Sequence, residues 1–208
     1  LAIAFIPVLS ETLKKKGQGP SWKLFSQIGN LAFLVTAVLA IIIALVAKPL
    51  VKWELGIAPG FTIKQQNLAV DLMRLNLIAT LIFSISGLVM AGLQANQHFL
   101  LPAASPLMYE VGKIFGAVIL APSVGYQIGG IKLPGFGMGI HGLVYGVIIG
   151  AVLHLLIQVP GLLKYKFKWT PSINLRDESV QKVLRLMGPR LVSMIFIQLI
   201  FVAQDNLA

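Results

Sequence analysis

Residues Ile28–Ala47 are twenty consecutive positions without one charged side chain. No other feature constrains the chain as strongly. A helix needs about 20 mostly apolar residues to cross the hydrocarbon core of a bilayer. Inside that core every backbone N–H and C=O must be bonded within the protein, which leaves helices and closed barrels. The run recurs at Leu75–Leu93, Phe99–Ala121, Ile140–Leu163 and Val183–Ala203, and Leu1–Leu9 reads as the tail of a further helix. Continuous apolarity, rather than alternation in steps of two, argues against a membrane barrel and makes strands an unfavoured reading. The expected fold class is an all-α integral membrane protein, a polytopic helical bundle.

Composition supports this. The chain is 57% hydrophobic and 12% charged, against about 45–50% and about 25% in soluble domains. Mean hydropathy is +0.85. There are too few charges to wet a globular surface. The absence of cysteine removes disulfides, thiol nucleophiles and thiolate metal sites together. The net charge of +10 does not point to nucleic acid, which would call for basic residues interleaved with aromatics on a soluble face. Lys and Arg gather instead in the loops that membrane insertion retains on the cytoplasmic side.

Those loops orient the chain. Lys14, Lys15, Lys16 and Lys23 precede the first complete span; Lys164, Lys166, Lys168, Arg176 and Lys182 lie between the fourth and the fifth. The two loops are four crossings apart, so they share a side, and the positive-inside rule makes it cytoplasmic. The segment Lys164–Glu178 is the longest strongly polar stretch and marks the boundary expected between two helical bundles. Beyond it, Ser172 or Asn174 is expected to cap an amphipathic helix lying on the cytoplasmic surface. The chain starts without Met and stops within an apolar run, and is expected to be a piece of a larger protein.

No phosphate loop, HExxH or GxSxG pattern occurs in the sequence, so hydrolytic and nucleotide chemistry lack their usual marks. His141 and His154 fall on roughly opposite faces of one helix; a polar packing role is expected for them, and no metal site. Ionisable groups inside spans are the sharper signal, because each costs about 2.5–3.5 kcal/mol at mid-bilayer on insertion scales. Glu110 and Lys113 are i,i+3 neighbours in an otherwise apolar helix. Either they line a cavity and meet a charged substrate, or they neutralise each other against a neighbouring helix. Gln198 and Arg190 complete the set of candidate substrate-contacting residues, with Arg190 also able to snorkel to the cytoplasmic interface. Asp205, beside Gln204, is a candidate monovalent-cation or proton site. Asp71 and Arg74 read as a wet ion pair. The spacings among Gly87, Gly92, Gly112, Gly116, Gly142, Gly146 and Gly150 predict close helix packing.

Five segments occur together and in order: AFIPVLSE (Ala4–Glu11), APGF (Ala58–Phe61), GLQANQHFLLPAASPLM (Gly92–Met108), QVPGLLK (Gln158–Lys164) and VLRLMGPRLV (Val183–Val192). The set resembles the MviN/MurJ family of lipid II flippases, within the multidrug/oligosaccharidyl-lipid/polysaccharide exporter superfamily. The resemblance implies a two-lobe, MATE-like transporter fold. Residues 1–163 would supply most of the N-lobe (the end of its second helix through its sixth), 164–182 the inter-lobe linker, and 183–208 the first helix of the C-lobe. It implies export of undecaprenyl-pyrophosphate-linked disaccharide-pentapeptide by alternating access in the bacterial inner membrane. No cofactor is implied; the drive would be a monovalent cation or the membrane potential, and the partners the bilayer, lipid II and cell-wall synthesis proteins. Related exporters of another polyprenyl-linked sugar or a drug share these marks. A membrane-embedded enzyme acting on polyprenyl phosphates would need clustered Asp, Glu or His at a membrane face, which the sequence lacks. At Glu110 and Lys113 the family more usually carries an amide and an apolar residue.

Overall fold

The computed structural model describes residues 2–52, 60–128 and 130–207; side chains at 2, 3, 126, 128, 131, 195, 198, 199 and 201–207 lie outside the described set. Seven α-helices and one short hairpin are seen among the described residues: α1 (Ala2–Lys16), α2 (Gln18–Lys52), α3 (Ile63–Ala95), α4 (Leu100–Phe115), β1 (Tyr126–Ile128), β2 (Ile131–Leu133), α5 (Ile140–Leu156), α6 (Val159–Lys164) and α7 (Glu178–Leu207). The chain is an all-α polytopic membrane protein. Among the described residues four stretches are long and apolar enough to span a bilayer: Gln18–Lys52, Ile63–Ala95, Leu100–Leu120 and Ile140–Lys164. The fifth expected span, Val183–Ala203, falls within α7, whose later side chains lie outside the described set.

Helix ends sit where local chemistry puts them. Gly17 takes φ +83°, a conformation that costs glycine little, and it separates α1 from α2. Thr62 and Gln65 form a reciprocal capping box at the start of α3, satisfying donors that the first turn leaves unpaired. Helix α3 therefore begins well before the apolar run at Leu75 and lifts Asp71 and Arg74 into regular helix. α7 is capped by Asp177, whose Oδ1 accepts from Ser179 N at 2.9 Å and Val180 N at 3.4 Å. The expected cap at Ser172 or Asn174 is thus corrected; Asn174 Oδ1 instead accepts from Arg176 N, two residues on. No separate surface helix forms, because the amphipathic stretch is the opening of α7 and continues through Pro189.

One strand pair does occur. β1 and β2 pair antiparallel, Tyr126 opposite Leu133, in the loop outside the spans. The chain then runs back along the end of α4. There Phe136, Met138 and Gly139 N–H groups donate to the carbonyls of Ile119, Leu120 and Ala121 at 2.9–3.1 Å. These bonds satisfy carbonyls that a helix C-terminus would otherwise leave unpaired.

Packing follows the small residues. α4 lies against α5, α5 against α3, α3 against α2, and α1 against α2 and α3. At the α4–α5 seam a Cβ built on Gly112 would stand 2.3 Å from Gly150 Cα, and one on Gly116 would stand 2.5 Å from Gly146 Cα. Only glycine lets the backbones approach this closely, the usual device where lipid supplies no hydrophobic drive for helix association. From Gly116, still within the seam, Gly116–Leu120 widens into a π-helical turn.

Candidate functional site

The two basic loops meet at one end of the bundle. Trp22 Nε1 donates to Tyr165 O at 3.1 Å. Asn30 Nδ2 donates to the carbonyls of Thr170 (2.9 Å) and Ser172 (3.0 Å), and Asn30 Oδ1 accepts from Trp169 Nε1 at 2.9 Å. Ser26 Oγ accepts from Thr170 N at 3.1 Å. Phe167 inserts edge-on between Trp22 and Phe25, with ring centroids 5.2 and 5.1 Å away. The polar segment after α6 is therefore a strap fastened along the first turns of α2. α2 takes up the carbonyls of Tyr165, Thr170 and Ser172, the Thr170 N–H and the Trp169 indole, groups costly to bury unpaired, while the Thr170 and Ser172 hydroxyls are buried without a partner among the described residues.

The same end carries an ion cluster. Glu11 on α1 accepts from Lys15 at 2.9 Å and from Lys182 on α7 at 2.6 Å. The hydrogen bond from Lys182, then that from Lys15, lowers the Glu11 carboxyl from 4.5 to about 2, while Glu11 raises the Lys15 ammonium above its usual value. The cluster joins the first and last described helices across the basic end.

Of the residues singled out from sequence, Glu110 and Lys113 do pair, at 2.8 Å, and Lys113 Nζ also sits 4.8 Å over the Tyr109 ring. Their side chains are 54% and 39% exposed, on the side of α4 where Ile114 and Leu143 form a shallow apolar opening. The geometry is that of a self-neutralised local pair. Arg190 is exposed on α7, one residue past Pro189, and Ser193 Oγ donates back to Pro189 O at 3.0 Å. The side chains of Gln198, Gln204 and Asp205 lie outside the described residues. Asp71 and Arg74, expected as a pair, do not form one: Arg74 Nε donates instead to Ala44 O of α2 at 3.0 Å. The guanidinium reaches across to the backbone of the neighbouring helix rather than back along its own.

Sequence reading missed a buried polar cluster between α3 and α5. The Ser86 hydroxyl accepts from Gln158 Nε2 at 2.9 Å and lies 2.6 Å from His154 Nδ1. The bonds close if Ser86 donates to Nδ1, which assigns the ring proton to Nε2. Gln158 Nε2 also reaches His154 O at 2.8 Å, and Phe83 stands edge-on to the imidazole, its centroid 5.3 Å away. His154 thus plays the polar packing role expected of it. The i,i+4 spacing of His154 and Gln158 was a visible signal; the arrival of Ser86 was not. Gln27 is buried too, with neither amide atom partnered among the described residues. Among those residues no group of His, Asp or Glu is arranged to hold a metal ion.

With this geometry in view, the comparisons with known proteins are decisive. The family model for lipid II flippase MurJ matches residues 1–208. The chain belongs to the MurJ lipid II flippase family. It is similar to lipid II flippase MurJ of Burkholderia cenocepacia, 28% identical over 211 residues, covering 99% of this chain and 38% of that protein. It is similar also to the probable lipid II flippase MurJ of Buchnera aphidicola subsp. Acyrthosiphon pisum, 27% identical over 191 residues, with 91% and 34% covered. A third relative, the probable lipid II flippase MurJ of Buchnera aphidicola subsp. Schizaphis graminum, is 28% identical over 134 residues, 64% of this chain and 24% of that one. The chain spans less than two fifths of the length of these curated relatives. Membership gives the long spans and the glycine seam a common setting: a family whose members are named as flippases.

Proposed function

We propose that this chain is part of a lipid II flippase, a transporter and not an enzyme. It would move the undecaprenyl-pyrophosphate-linked disaccharide-pentapeptide from the cytoplasmic to the periplasmic leaflet of a bacterial inner membrane. The observation that carries the reading is the match of the lipid II flippase family to all 208 residues. The physical task fits the architecture: a charged headgroup must cross hydrocarbon while its lipid tail stays in it. That requires apolar outer faces and a polar interior path that opens to each side in turn.

On this reading residues 1–163 belong to the N-lobe, 164–182 to the linker and 183–208 to the first helix of the C-lobe. α7 begins ahead of Val183, at Glu178, so the last part of the linker is already helical. Glu11 and Lys182 would then join the lobes at their cytoplasmic end, and the strap would hold the linker to α2 as the lobes rock. Arg190 and Gln198 remain the candidates for substrate contact on α7. Gln204 and Asp205 are the candidates for a monovalent cation, whose gradient or the membrane potential would drive the cycle. Glu110 and Lys113, already satisfied by each other, fall to last among the cavity candidates. Cell-wall synthesis proteins are the partners this role would bring.

The test is genetic. A bacterium depleted of its own flippase receives the full-length parent of this chain. Restored growth and wall synthesis support the proposal; expression at the membrane without rescue refutes it.

A further inference from the structure

A cleft of about 360 Å³ opens between α2, α3, α5 and the strap, and its lining is almost wholly apolar. Phe25, Gly29 and Phe33 of α2 form one wall, and Ile85 and Val89 of α3 the other. Phe167 and Trp169 of the strap roof one end. Phe25 to Phe33 covers about 12 Å of helix at 1.5 Å per residue, most of the roughly 15 Å depth of one leaflet's hydrocarbon. The roof lies at the basic end of the bundle, where indole rings settle at the headgroup level. Phe33 and Ile85 of its lining are themselves 42% and 39% exposed, and elsewhere on α2 Leu34, Val38 and Ile41 form an outward face, 46–60% exposed, that meets hydrocarbon in a membrane.

We infer that this cleft holds one acyl chain of an anionic phospholipid of the cytoplasmic leaflet. Three observations select that occupant. The cleft opens at exposed apolar side chains, Phe33 and Ile85, so a bilayer chain enters it sideways with no polar barrier. Its roof is closed, because the polar groups of Asn30, Ser26 and Trp169 are spent on one another and on the strap; an occupant there gains apolar contact and no hydrogen bonds, which suits an alkyl chain and not a peptide. Lys164, Lys166 and Lys168 are exposed on the strap at the headgroup level, and basic residues near a membrane surface favour anionic lipid by about fivefold each. Such a lipid fills the gap beneath the strap and seals it to the bundle. The inference does not depend on what the protein carries.

The experiment is native mass spectrometry of the full-length parent in detergent, titrated with phosphatidylglycerol or phosphatidylcholine. Wild type is expected to retain one phosphatidylglycerol after the micelle is stripped, with at least fivefold weaker retention of phosphatidylcholine. A Cβ on Gly29 meets nothing within 4 Å, so Gly29→Phe grows into the cleft and should abolish the retained lipid. Ile85→Trp fills it from the opposite wall and should do the same. Val38→Phe, on the outward face of α2, should leave retention unchanged. Lys166→Gln with Lys168→Gln should erase most of the headgroup preference. Retention by both cleft-filled variants at the wild-type level would overturn the assignment. So would a wild type that keeps no lipid, or a preference for phosphatidylglycerol that survives loss of both lysines.

Discussion

Gly112→Ala tests the packing argument at its tightest point. The added methyl would stand 2.3 Å from both Gly150 Cα and Gly150 N and 3.0 Å from Gly146 O. Carbon atoms rest at about 3.5–4.0 Å, so α4 and α5 must part by about 1 Å. All three obstacles are backbone, so no side chain can swing away. A gap of 0.5–1 Å forfeits about a quarter to a half of each dispersion contact along the seam, and overpacking of this kind costs about 1–3 kcal/mol. Alanine gains some of that back through helix propensity, up to about 1 kcal/mol, so the net expectation is a loss of about 1–2 kcal/mol. The assay is thermal unfolding of the full-length parent in detergent, with Gly87→Ala as its control. A Cβ at Gly87 meets nothing within 4 Å, so that variant should be neutral or slightly stabilised. The shift per kcal/mol falls with chain length, from about 2–4 °C at 150–250 residues, so in the longer parent Gly112→Ala should melt roughly 1–2 °C lower. A Gly112→Ala protein as stable as the Gly87→Ala control would refute the reasoning.

Other expectations follow from single contacts. Glu11 titrates near 2 in the fold against 4.5 ordinarily, so its bond to Lys182 stabilises fully above about pH 4.5 and fades as pH falls toward 2. The melting difference between wild type and Glu11→Gln should shrink over that window and with added salt, and a difference independent of pH would count against it. Ser86→Ala removes the hydroxyl shared by His154 and Gln158 and should cost about 0.6–1.7 kcal/mol, the range for hydrogen bonds between membrane helices. Asn30→Ala frees three bonds holding the strap; limited trypsin digestion at Lys166 and Lys168 should accelerate about tenfold, at roughly 1.4 kcal/mol per decade. Replacing Glu110 by Asn and Lys113 by Leu together removes a pair that satisfies itself, and rescue of a flippase-depleted strain should be largely unchanged.

Much of the architecture is legible in hydropathy, because a bilayer imposes one rule on every span. Ile28–Ala47 announces α2 without ambiguity, and the two basic loops that had to share a side do meet at Glu11, Lys182, Trp22 and Tyr165. Helix lengths were harder to read. The capping box at Thr62 and the Asp177 cap extend α3 and α7 beyond their apolar runs into polar sequence that hydropathy leaves out. The strap was visible only as polarity; that Asn30 would consume its carbonyls depends on a contact between residues 140 and 142 positions apart. The glycine seam was legible in its spacing, since small residues four apart line one helix face, but a Cβ on Gly87, named with the same set, would meet nothing within 4 Å. The site candidates fared less evenly. Glu110 and Lys113 pair as their spacing allows, whereas Arg74 abandons Asp71 for Ala44 O, because side-chain reach across helices is not written in local sequence. Gln198, Gln204 and Asp205 have side chains outside the described residues, and they keep the standing that sequence gives them.

The proposed activity is outward carriage of lipid II by the full-length parent of this chain. Its most direct test is the amount of lipid II reachable from outside cells depleted of their own flippase. That amount is read by cleavage with an enzyme confined to the outer face of the membrane. Expression of the full-length parent should return the cleaved fraction to the level of undepleted cells. A parent protein that reaches the membrane in normal amount while lipid II stays protected inside would contradict it.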